Sequence, residues 1–158
     1  MKKKKILFLC VQNSARSQMA EAWLNQICGE AFEVQSAGFE PGVISPLAVE
    51  AMREAGLDIS GKKPRKVFDV WKSGQAFAYV ITVCTEAERK ARACPIFPGA
   101  TINMSWPFPD PSSFEGSHEA RLEQTRQVRD AIKARIESWC AEECPFEAAL
   151  ISSVHNSL

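Results

Sequence analysis

Short apolar runs alternate along the chain with amphipathic segments, and the two patterns predict strands and helices in turn. Runs rich in β-branched and aromatic residues predict strands, and apolar residues at helical spacing predict helices between them. Strands alternating with helices favour an α/β fold, a three-layer sandwich in which helices flank a four-stranded parallel sheet. The predicted strands are 5–9, 32–36, 77–84 and 101–106, and the predicted helices are 18–28, 46–55, 67–72, 85–93 and 117–142.

The length of the chain, 158 residues, corresponds to one domain. We assign residues 1–143 to this domain and leave the tail, 144–158, without a role. Nineteen basic and nineteen acidic residues give a net charge of +0, so no global field favours nucleic acid or an acidic membrane. The longest apolar run, 6–11, is too short to span a bilayer. We therefore expect a cytoplasmic protein that is a monomer and binds any anion at a local site.

Six cysteines need an explanation in a reducing compartment, where structural disulfides are not favoured. Their spacing fits neither paired zinc ligands nor a secreted disulfide framework, so catalytic or redox use is expected. Cys28 is interpreted as a helix-packing residue. Cys140, Cys144 and His155 supply three metal donors without a fourth, so we expect no metal site.

A cysteine and an arginine bracket five small or polar residues directly after the first predicted strand, in the sequence Cys10-Val11-Gln12-Asn13-Ser14-Ala15-Arg16-Ser17. Backbone N–H groups of such a loop, at a helix start, form an anion-binding nest. Arg16 offers a planar fork for two oxygens of a tetrahedral oxyanion, and the same field stabilises a thiolate at Cys10. Ser17 can donate its hydroxyl to that sulfur, and Asn13 tolerates left-handed backbone angles. The alternative is a buried cysteine that ends a strand beside a solvated arginine.

This loop closely resembles the phosphate loop of the low-molecular-weight tyrosine phosphatase family, and residues 10–21 resemble the arsenate reductases built on that fold. Ser36-Ala37-Gly38, residues 46–60 and Asp110-Pro111 follow in the order that the family shows, so the resemblance covers about residues 4–137. It implies that Asp110, in a stiff proline-rich loop, is the general acid, although an aspartate before proline also caps turns. It further implies that the oxyanion is bound by Val11, Gln12, Asn13, Ser14, Ala15 and Arg16.

Cys84 and Cys94 resemble the two resolving cysteines of thioredoxin-coupled arsenate reductases. The resemblance implies that Cys10 attacks arsenate, Cys84 attacks Cys10, and Cys94 attacks Cys84. The resulting disulfide passes to thioredoxin, so no cofactor is needed. Nine residues separate Cys84 from Cys94, more than the family leads us to expect. A helix of that length holds them on the order of 15 Å apart, whereas a disulfide needs Cα atoms at roughly 4.4–6.8 Å. The segment must therefore loop out on oxidation.

Some family members bind potassium through residues matching Asn13, Glu21 and Ser36 together with an acid. Arg65 occupies the position of that acid here, so we expect no potassium site.

Two other functions compete with arsenate reduction. A tyrosine phosphatase of this family typically carries a tyrosine after its Asp-Pro pair, whereas Ser112, Ser113 and Phe114 follow here, and Tyr79 is the one tyrosine of the chain. The second alternative is a non-catalytic anion-binding module, which would need no nucleophile, so the presence of Cys10, Arg16 and Asp110 argues against it.

Overall fold

The computed structural model describes residues 3–143, which form a four-stranded parallel sheet with the strand order β2-β1-β3-β4. The α/β architecture expected from the sequence is confirmed, since every strand pair is parallel and helices connect the strands. A short 3₁₀ turn, Pro111–Ser113, precedes the last helix. The strands are β1 Lys4–Cys10, β2 Phe32–Gly38, β3 Tyr79–Thr82 and β4 Ile102–Ser105, and the helices are α1 Arg16–Cys28, α2 Pro46–Glu54, α3 Val67–Lys72, α4 Glu86–Lys90 and α5 His118–Glu143.

Alternate side chains of the central strand β1 enter two separate cores, which accounts for the three layers. Ile6 and Phe8 belong to the larger core, which includes residues of α1, α2 and α5. Leu7 and Leu9 belong to the smaller core, which includes residues of α3. Because successive strand residues point to opposite faces of a sheet, a strand buried on both faces reads as a continuous apolar run.

The strands β3 and β4 are shorter than the sequence pattern predicts. Pairing of β3 with β1 and β4 begins at Tyr79 and ends at Thr82. The apolar run in the sequence starts two residues before the strand, at Phe77, whose side chain packs edge-on against Phe97 in the smaller core. Apolar character therefore extended the predicted strand beyond the residues that form the ladder.

The helix predicted at 85–93 is also too long. A capping box between Thr85 and Glu88 begins α4, but the helix ends at Lys90 and none of its residues is buried. Without an apolar stripe against a neighbour, helix propensity alone sustains little more than one turn. The premise that a continuous helix separates Cys84 from Cys94 is therefore wrong.

Strand order places a ligand site at the carboxyl end of β1. The chain leaves β1 to form β2 on one side and later returns to form β3 on the other. Parallel sheets bind ligands where the strand order reverses in this way, beyond the carboxyl ends. Cys10, the last residue of β1, pairs with Gly38 at this edge.

Cys28 and Cys140 are joined in a disulfide between the ends of α1 and α5, with Cα atoms 6.7 Å apart. Cys28 packs in the larger core as the sequence analysis expected, but its disulfide with Cys140 was not anticipated. Both residues are buried, and the aligned helices bring them together across 112 residues of sequence. Cys144 and His155, which were weighed with Cys140 as metal donors, lie outside the described residues.

No helix within residues 3–143 combines the length and the apolar character needed to cross a membrane.

Replacing both Cys28 and Cys140 by alanine is expected to lower the free energy of unfolding by about 2–5 kcal/mol under non-reducing conditions, because the disulfide closes a long loop. Denaturant unfolding followed by circular dichroism measures this loss. A reductant should destabilise the wild type but leave the double variant unchanged. The exposed Cys94→Ala variant is the control and should respond to the reductant as the wild type does. Equal responses of the wild type and the double variant would contradict the disulfide.

Candidate active site

The loop between β1 and α1 turns its carbonyl groups outward. Three of them, together with the carbonyl of Cys10 at the end of β1, accept hydrogen bonds from backbone N–H groups in the segment 39–45. Because these carbonyls are occupied on the outside, N–H groups of the loop are available on the concave side, where Asn13 N–H donates to Cys10 Sγ, and such a loop is suited to bind an anion. The four bonds run from Phe39 to Cys10 (3.2 Å), from Glu40 to Val11 (2.7 Å), from Gly42 to Gln12 (3.0 Å) and from Ser45 to Ser14 (2.9 Å).

Asn13 fixes the conformation of this loop. Its φ of 53° lies in the left-handed region that the sequence analysis anticipated. The buried side chain donates from Nδ2 to Ser17 Oγ (2.7 Å), and its Oδ1 accepts from Gln18 Nε2 (3.0 Å) and from the backbone N–H of Arg65 (2.9 Å). Asn13 therefore braces the loop from behind.

The sulfur of Cys10 lies at the base of the loop and is held by two groups. Ser17 Oγ is 2.8 Å from Cys10 Sγ, and the backbone N–H of Asn13 donates to the same sulfur at 3.0 Å. Helix α1 begins at Arg16, so the positive end of its dipole also faces the sulfur. These contacts fix the position of the sulfur at the start of α1.

Arg16 is buried and forms a two-armed ion pair with Glu88. Arg16 Nη1 donates to Glu88 Oε1 (2.7 Å), and Nη2 donates to Oε2 (2.9 Å). Burial works to lower the pKa of Arg16, but the Glu88 hydrogen bond and the charges of Cys10 and Asp110 raise it. The hydrogen bonds from Arg16 outweigh desolvation and lower the pKa of Glu88 to about 2. Both groups are therefore charged at any physiological pH.

A small pocket opens above the sulfur. It is lined by Cys10, Gln12, Ser14, Ala15, Arg16 and Asp110. The structure thus brings together the predicted nucleophile, the guanidinium and the predicted acid. Val11 and Asn13, which the resemblance placed among the oxyanion-binding residues, do not line this pocket with the others. Asn13 instead acts through its backbone N–H and its bracing amide.

Asp110 caps a turn, as one of the two interpretations of the sequence predicted, and its role as a general acid stays a prediction. Its Oδ1 accepts from the backbone N–H of Ser112 (2.9 Å) and so caps the 3₁₀ turn. Its Oδ2 lies 3.7 Å from Arg16 Nη2, at the rim of the pocket. The cap holds the carboxyl group in place, and the second oxygen remains over the site where an oxyanion would be bound.

Cys84 and Cys94 lie in different surroundings. Cys84 is fully buried two residues after β3, close enough to Cys10, Arg16 and Glu88 for their charges to act on its thiol. Burial, the first cause, and the charge of Glu88 raise the pKa of Cys84 to about 11. Cys94 is exposed and lines a separate surface cleft with Ile96 and Phe97.

A sequence profile of the low molecular weight phosphotyrosine protein phosphatase family matches residues 5–145. The chain belongs to this family.

Several proteins similar to this chain in sequence are arsenate reductases. The arsenate reductase of Oceanobacillus iheyensis is 39% identical over 137 residues, which cover 86% of this chain and 94% of the relative. That of Bacillus licheniformis is 42% identical with the same coverage. Among solved structures, an arsenate reductase in the oxidized state has a TM-score of 0.72 at 29% identity, covering 88% of this chain and 98% of that chain. A thioredoxin-dependent arsenate reductase of Corynebacterium glutamicum has a TM-score of 0.64 at 28% identity, covering 99% of this chain and 64% of that chain.

The cation beside Glu21 is Lys62 rather than Arg65. Glu21 is largely buried and accepts from Ser36 Oγ (3.1 Å), and Lys62 Nζ lies 3.8 Å from its carboxylate. Burial raises the pKa of Glu21, and the ammonium of Lys62 opposes this effect more than Arg65 does. The side chain of Arg65 donates instead to Gln35 (3.2 Å). The lack of a potassium site stays a prediction, but Lys62 now supplies its physical reason.

Glu88 is the functional residue that the sequence analysis missed. The spacing Thr85-x-x-Glu88 is a capping-box signal, so the sequence could indicate the helix start. Nothing local in the sequence indicates that the same carboxylate reaches Arg16, 72 residues earlier.

Replacing Gly38 by alanine is expected to weaken phosphate binding by about tenfold or more, because moving the loop weakens charge-assisted hydrogen bonds worth about 1.5–3 kcal/mol each. A Cβ at Gly38 would lie 2.6 Å from the carbonyl oxygen of Val11 and 2.7 Å from the backbone nitrogen of Asn13, so the loop itself would have to move. Titration calorimetry with phosphate measures the effect. The matched control is Gly61→Ala, where a Cβ meets nothing within 4 Å. Unchanged binding in Gly38→Ala would show that the loop tolerates the shift.

Proposed function

We propose that this protein reduces arsenate to arsenite through a relay of Cys10, Cys84 and Cys94, and that thioredoxin recycles it. The observation that carries the proposal is the buried thiol of Cys84 within electrostatic reach of Cys10 and Arg16. An oxyanion hydrolase of this fold needs one cysteine at the pocket, whereas a second thiol beside the first supplies the reductant. The names of the relatives support the same substrate.

The first step forms a bond between sulfur and arsenic. The Cys10 thiolate attacks the arsenic of a bound arsenate, whose oxygens are held by Arg16 and the loop N–H groups. An oxygen leaves as water after Asp110 transfers a proton to it. The product is a thiol–arsenate ester on Cys10, and arsenic is still in its oxidised state.

The second step moves two electrons to arsenic. The Cys84 sulfur attacks the Cys10 sulfur, the sulfur–arsenic bond breaks, and its electron pair stays on arsenic, which leaves as arsenite. Cys94 then attacks Cys84, forms the Cys84–Cys94 disulfide and releases the Cys10 thiolate. A thioredoxin dithiol reduces that disulfide, so the electrons balance without a bound cofactor.

The raised pKa of Cys84 keeps this thiol protonated in the resting protein at neutral pH. Because the thiolate is the attacking form, Cys84 is inactive until it loses its proton. Burial thus protects the second thiol from oxidants before arsenate arrives.

The segment between Cys84 and Cys94 is only weakly packed against the rest of the protein, so it can detach locally. No residue of α4 is buried, and polar contacts tie the segment to the rest of the protein, among them Glu88 to Arg16 and Ser105 Oγ to Glu86 (3.3 Å). Segments with few buried apolar contacts open locally at low free energy. Opening of 85–93 would bring Cys94 towards Cys84 without moving a buried residue of that segment, while Cys84 itself lies in the larger core.

Phosphomonoester hydrolysis is the second candidate, and family membership favours it. Cys10, Arg16 and Asp110 suffice for a phosphoenzyme mechanism, so a weak phosphatase side activity is expected. The ring of Tyr79 is not placed to stack on an aromatic substrate, since Tyr79 is the first residue of β3 and packs on Trp139, at the far end of the sheet.

A coupled assay tests the proposal directly. Thioredoxin, its reductase and NADPH are mixed with the protein, and NADPH consumption should depend on added arsenate and on Cys10. Phosphate should inhibit this consumption, and phosphoester hydrolysis should stay slower than arsenate reduction. Phosphatase turnover without arsenate-dependent NADPH consumption would replace the main proposal with the alternative.

Replacing Asp110 by asparagine should slow formation of the Cys10–arsenic adduct by about 10²–10⁴-fold, the usual contribution of a general acid. Asparagine can still cap the turn at Ser112 but has no acidic proton to give. Arsenate binding should change little, which separates a chemical effect from a binding effect. Single-turnover rapid quench gives the rate, and Glu115→Gln, an exposed carboxylate nearby in sequence, is the control. A rate close to wild type would remove Asp110 from the mechanism.

The relay predicts a different trapped species for each resolving cysteine. After one turnover with arsenate, Cys94→Ser should hold a Cys10–Cys84 disulfide and release one arsenite per chain, whereas Cys84→Ser should release none. Because Cys84 must ionise, the step in which it attacks Cys10 should become faster as pH rises from neutral towards the Cys84 pKa of about 11. Peptide mapping and arsenite quantification measure these outcomes. A Cys10–Cys94 disulfide in wild type would show that the order is wrong.

A further inference from the structure

Glu88 contacts the oxyanion site from outside the phosphate loop. It is the third residue of α4 and lies between Cys84 and Cys94 in sequence. Its carboxylate is mostly shielded from solvent and meets a guanidinium that is almost fully buried. A partly buried, two-armed arginine–carboxylate pair fixes the plane of the guanidinium as well as its charge.

The hydrogen bonds of Arg16 leave a defined pair of donors free for a ligand. A guanidinium has five N–H groups, and those of Nη1 are taken by Glu88 Oε1 and by the carbonyl oxygen of Phe108 (3.1 Å). Nη2 gives one N–H to Glu88 Oε2. The two that remain, on Nε and Nη2, lie side by side along one edge of the guanidinium plane. Asp110 Oδ2 lies 3.7 Å from Nη2, and Arg16 and Asp110 both line the pocket, whereas Glu88 does not.

We propose that Glu88 is a positioning residue that holds one edge of the Arg16 guanidinium so that the opposite edge presents two donors to the bound oxyanion. This proposal deepens the function proposed above, because it concerns the same oxyanion site. Its test uses phosphate binding without turnover, so it can fail while arsenate reduction stands, and the reverse also holds.

The same contact links the oxyanion site to the relay segment. The other role of Glu88 is to accept from the backbone N–H of Thr85 (3.0 Å), which caps α4. When the segment opens to form the Cys84–Cys94 disulfide, Glu88 must leave Arg16 along with its helix. The oxidised protein therefore loses the partner that orients its guanidinium and binds oxyanion more weakly until the disulfide is reduced. Linkage makes this reciprocal, so a bound oxyanion stabilises the closed segment.

Glu88→Gln is the informative variant. Its amide oxygen can keep the contacts of Oε1 with Thr85 and Arg16 Nη1, but its NH₂ group faces Arg16 Nη2 with a donor against a donor. The dissociation constant of phosphate for the reduced protein is expected to rise about tenfold, since one charge-assisted hydrogen bond orients the fork. Glu88→Asp, which keeps the charge on a shorter side chain, is expected to fall between wild type and Glu88→Gln.

Two controls separate positioning from helix stability and from net charge. Thr85→Ala removes the hydroxyl cap of α4 without touching Arg16. Glu86→Gln makes the same charge change on the same helix, at an exposed residue paired with Arg89. Both are expected to change the dissociation constant of phosphate by less than about twofold, because neither side chain contacts Arg16 and substitutions away from a buried contact usually have small effects.

The measurements are titration calorimetry with phosphate and ¹⁵N NMR of the Arg16 guanidinium. Wild type should show separate signals for Nη1 and Nη2, because two hydrogen bonds to Glu88 restrain rotation of the guanidinium. Glu88→Gln should lose this separation. Wild type oxidised to the Cys84–Cys94 disulfide should bind phosphate as weakly as reduced Glu88→Gln does. An unchanged or lower dissociation constant in Glu88→Gln would overturn the proposal, since a lower one means that Glu88 competes with the oxyanion. An equal rise in Thr85→Ala would also overturn it.

Discussion

The site depends on the direction of the peptide groups in the loop that joins β1 to α1. Backbone N–H groups from 39–45 bind the carbonyls of the loop on its outer side, so its own N–H groups face inward. One of them, the backbone N–H of Asn13, donates a hydrogen bond to the Cys10 sulfur. Because an anion nest is made of backbone N–H groups, it forms only where a strand, a loop and a helix start follow one another in the correct geometry. Gly38 makes this possible, since the loop backbone occupies the place of its missing Cβ.

Charged side chains are concentrated around the phosphate loop, although the chain as a whole has a net charge of +0. Arg16 is the buried cation of the pocket, and the carboxylates of Glu88 and Asp110 lie beside it with the Cys10 sulfur. A Glu88 carboxylate that faced the pocket would repel an incoming oxyanion. Glu88 avoids this by binding the far edge of the guanidinium, outside the pocket lining. The remaining edge and the loop N–H groups attract the oxyanion at short range.

The relay combines a stable frame with one weak segment. The sheet and the helices α1, α2 and α5 share a continuous core, and a disulfide joins α1 to α5. By contrast, α4 contributes no buried side chain. Thiol exchange over a distance requires movement, and a protein can confine that movement to the part that contributes least to its core. The chemistry at Cys10 then proceeds on a rigid loop while Cys84 and Cys94 change partners.

The sequence by itself determined the α/β fold, the nest with Cys10 and Arg16, and the Ser17 contact, because these follow from local order along the chain. It could not determine where strands and helices end. The apolar Phe77 suggested a longer β3, but its side chain packs on Phe97 outside the strand ladder. Helix α4 is shorter than predicted because no neighbouring element buries its side chains. Contacts between residues far apart in sequence were also beyond it. The pairing of Cys28 with Cys140, the placement of Lys62 beside Glu21, and the Glu88–Arg16 pair were decided by tertiary structure. Each depends on how whole helices pack around the sheet, and no local pattern carries that information.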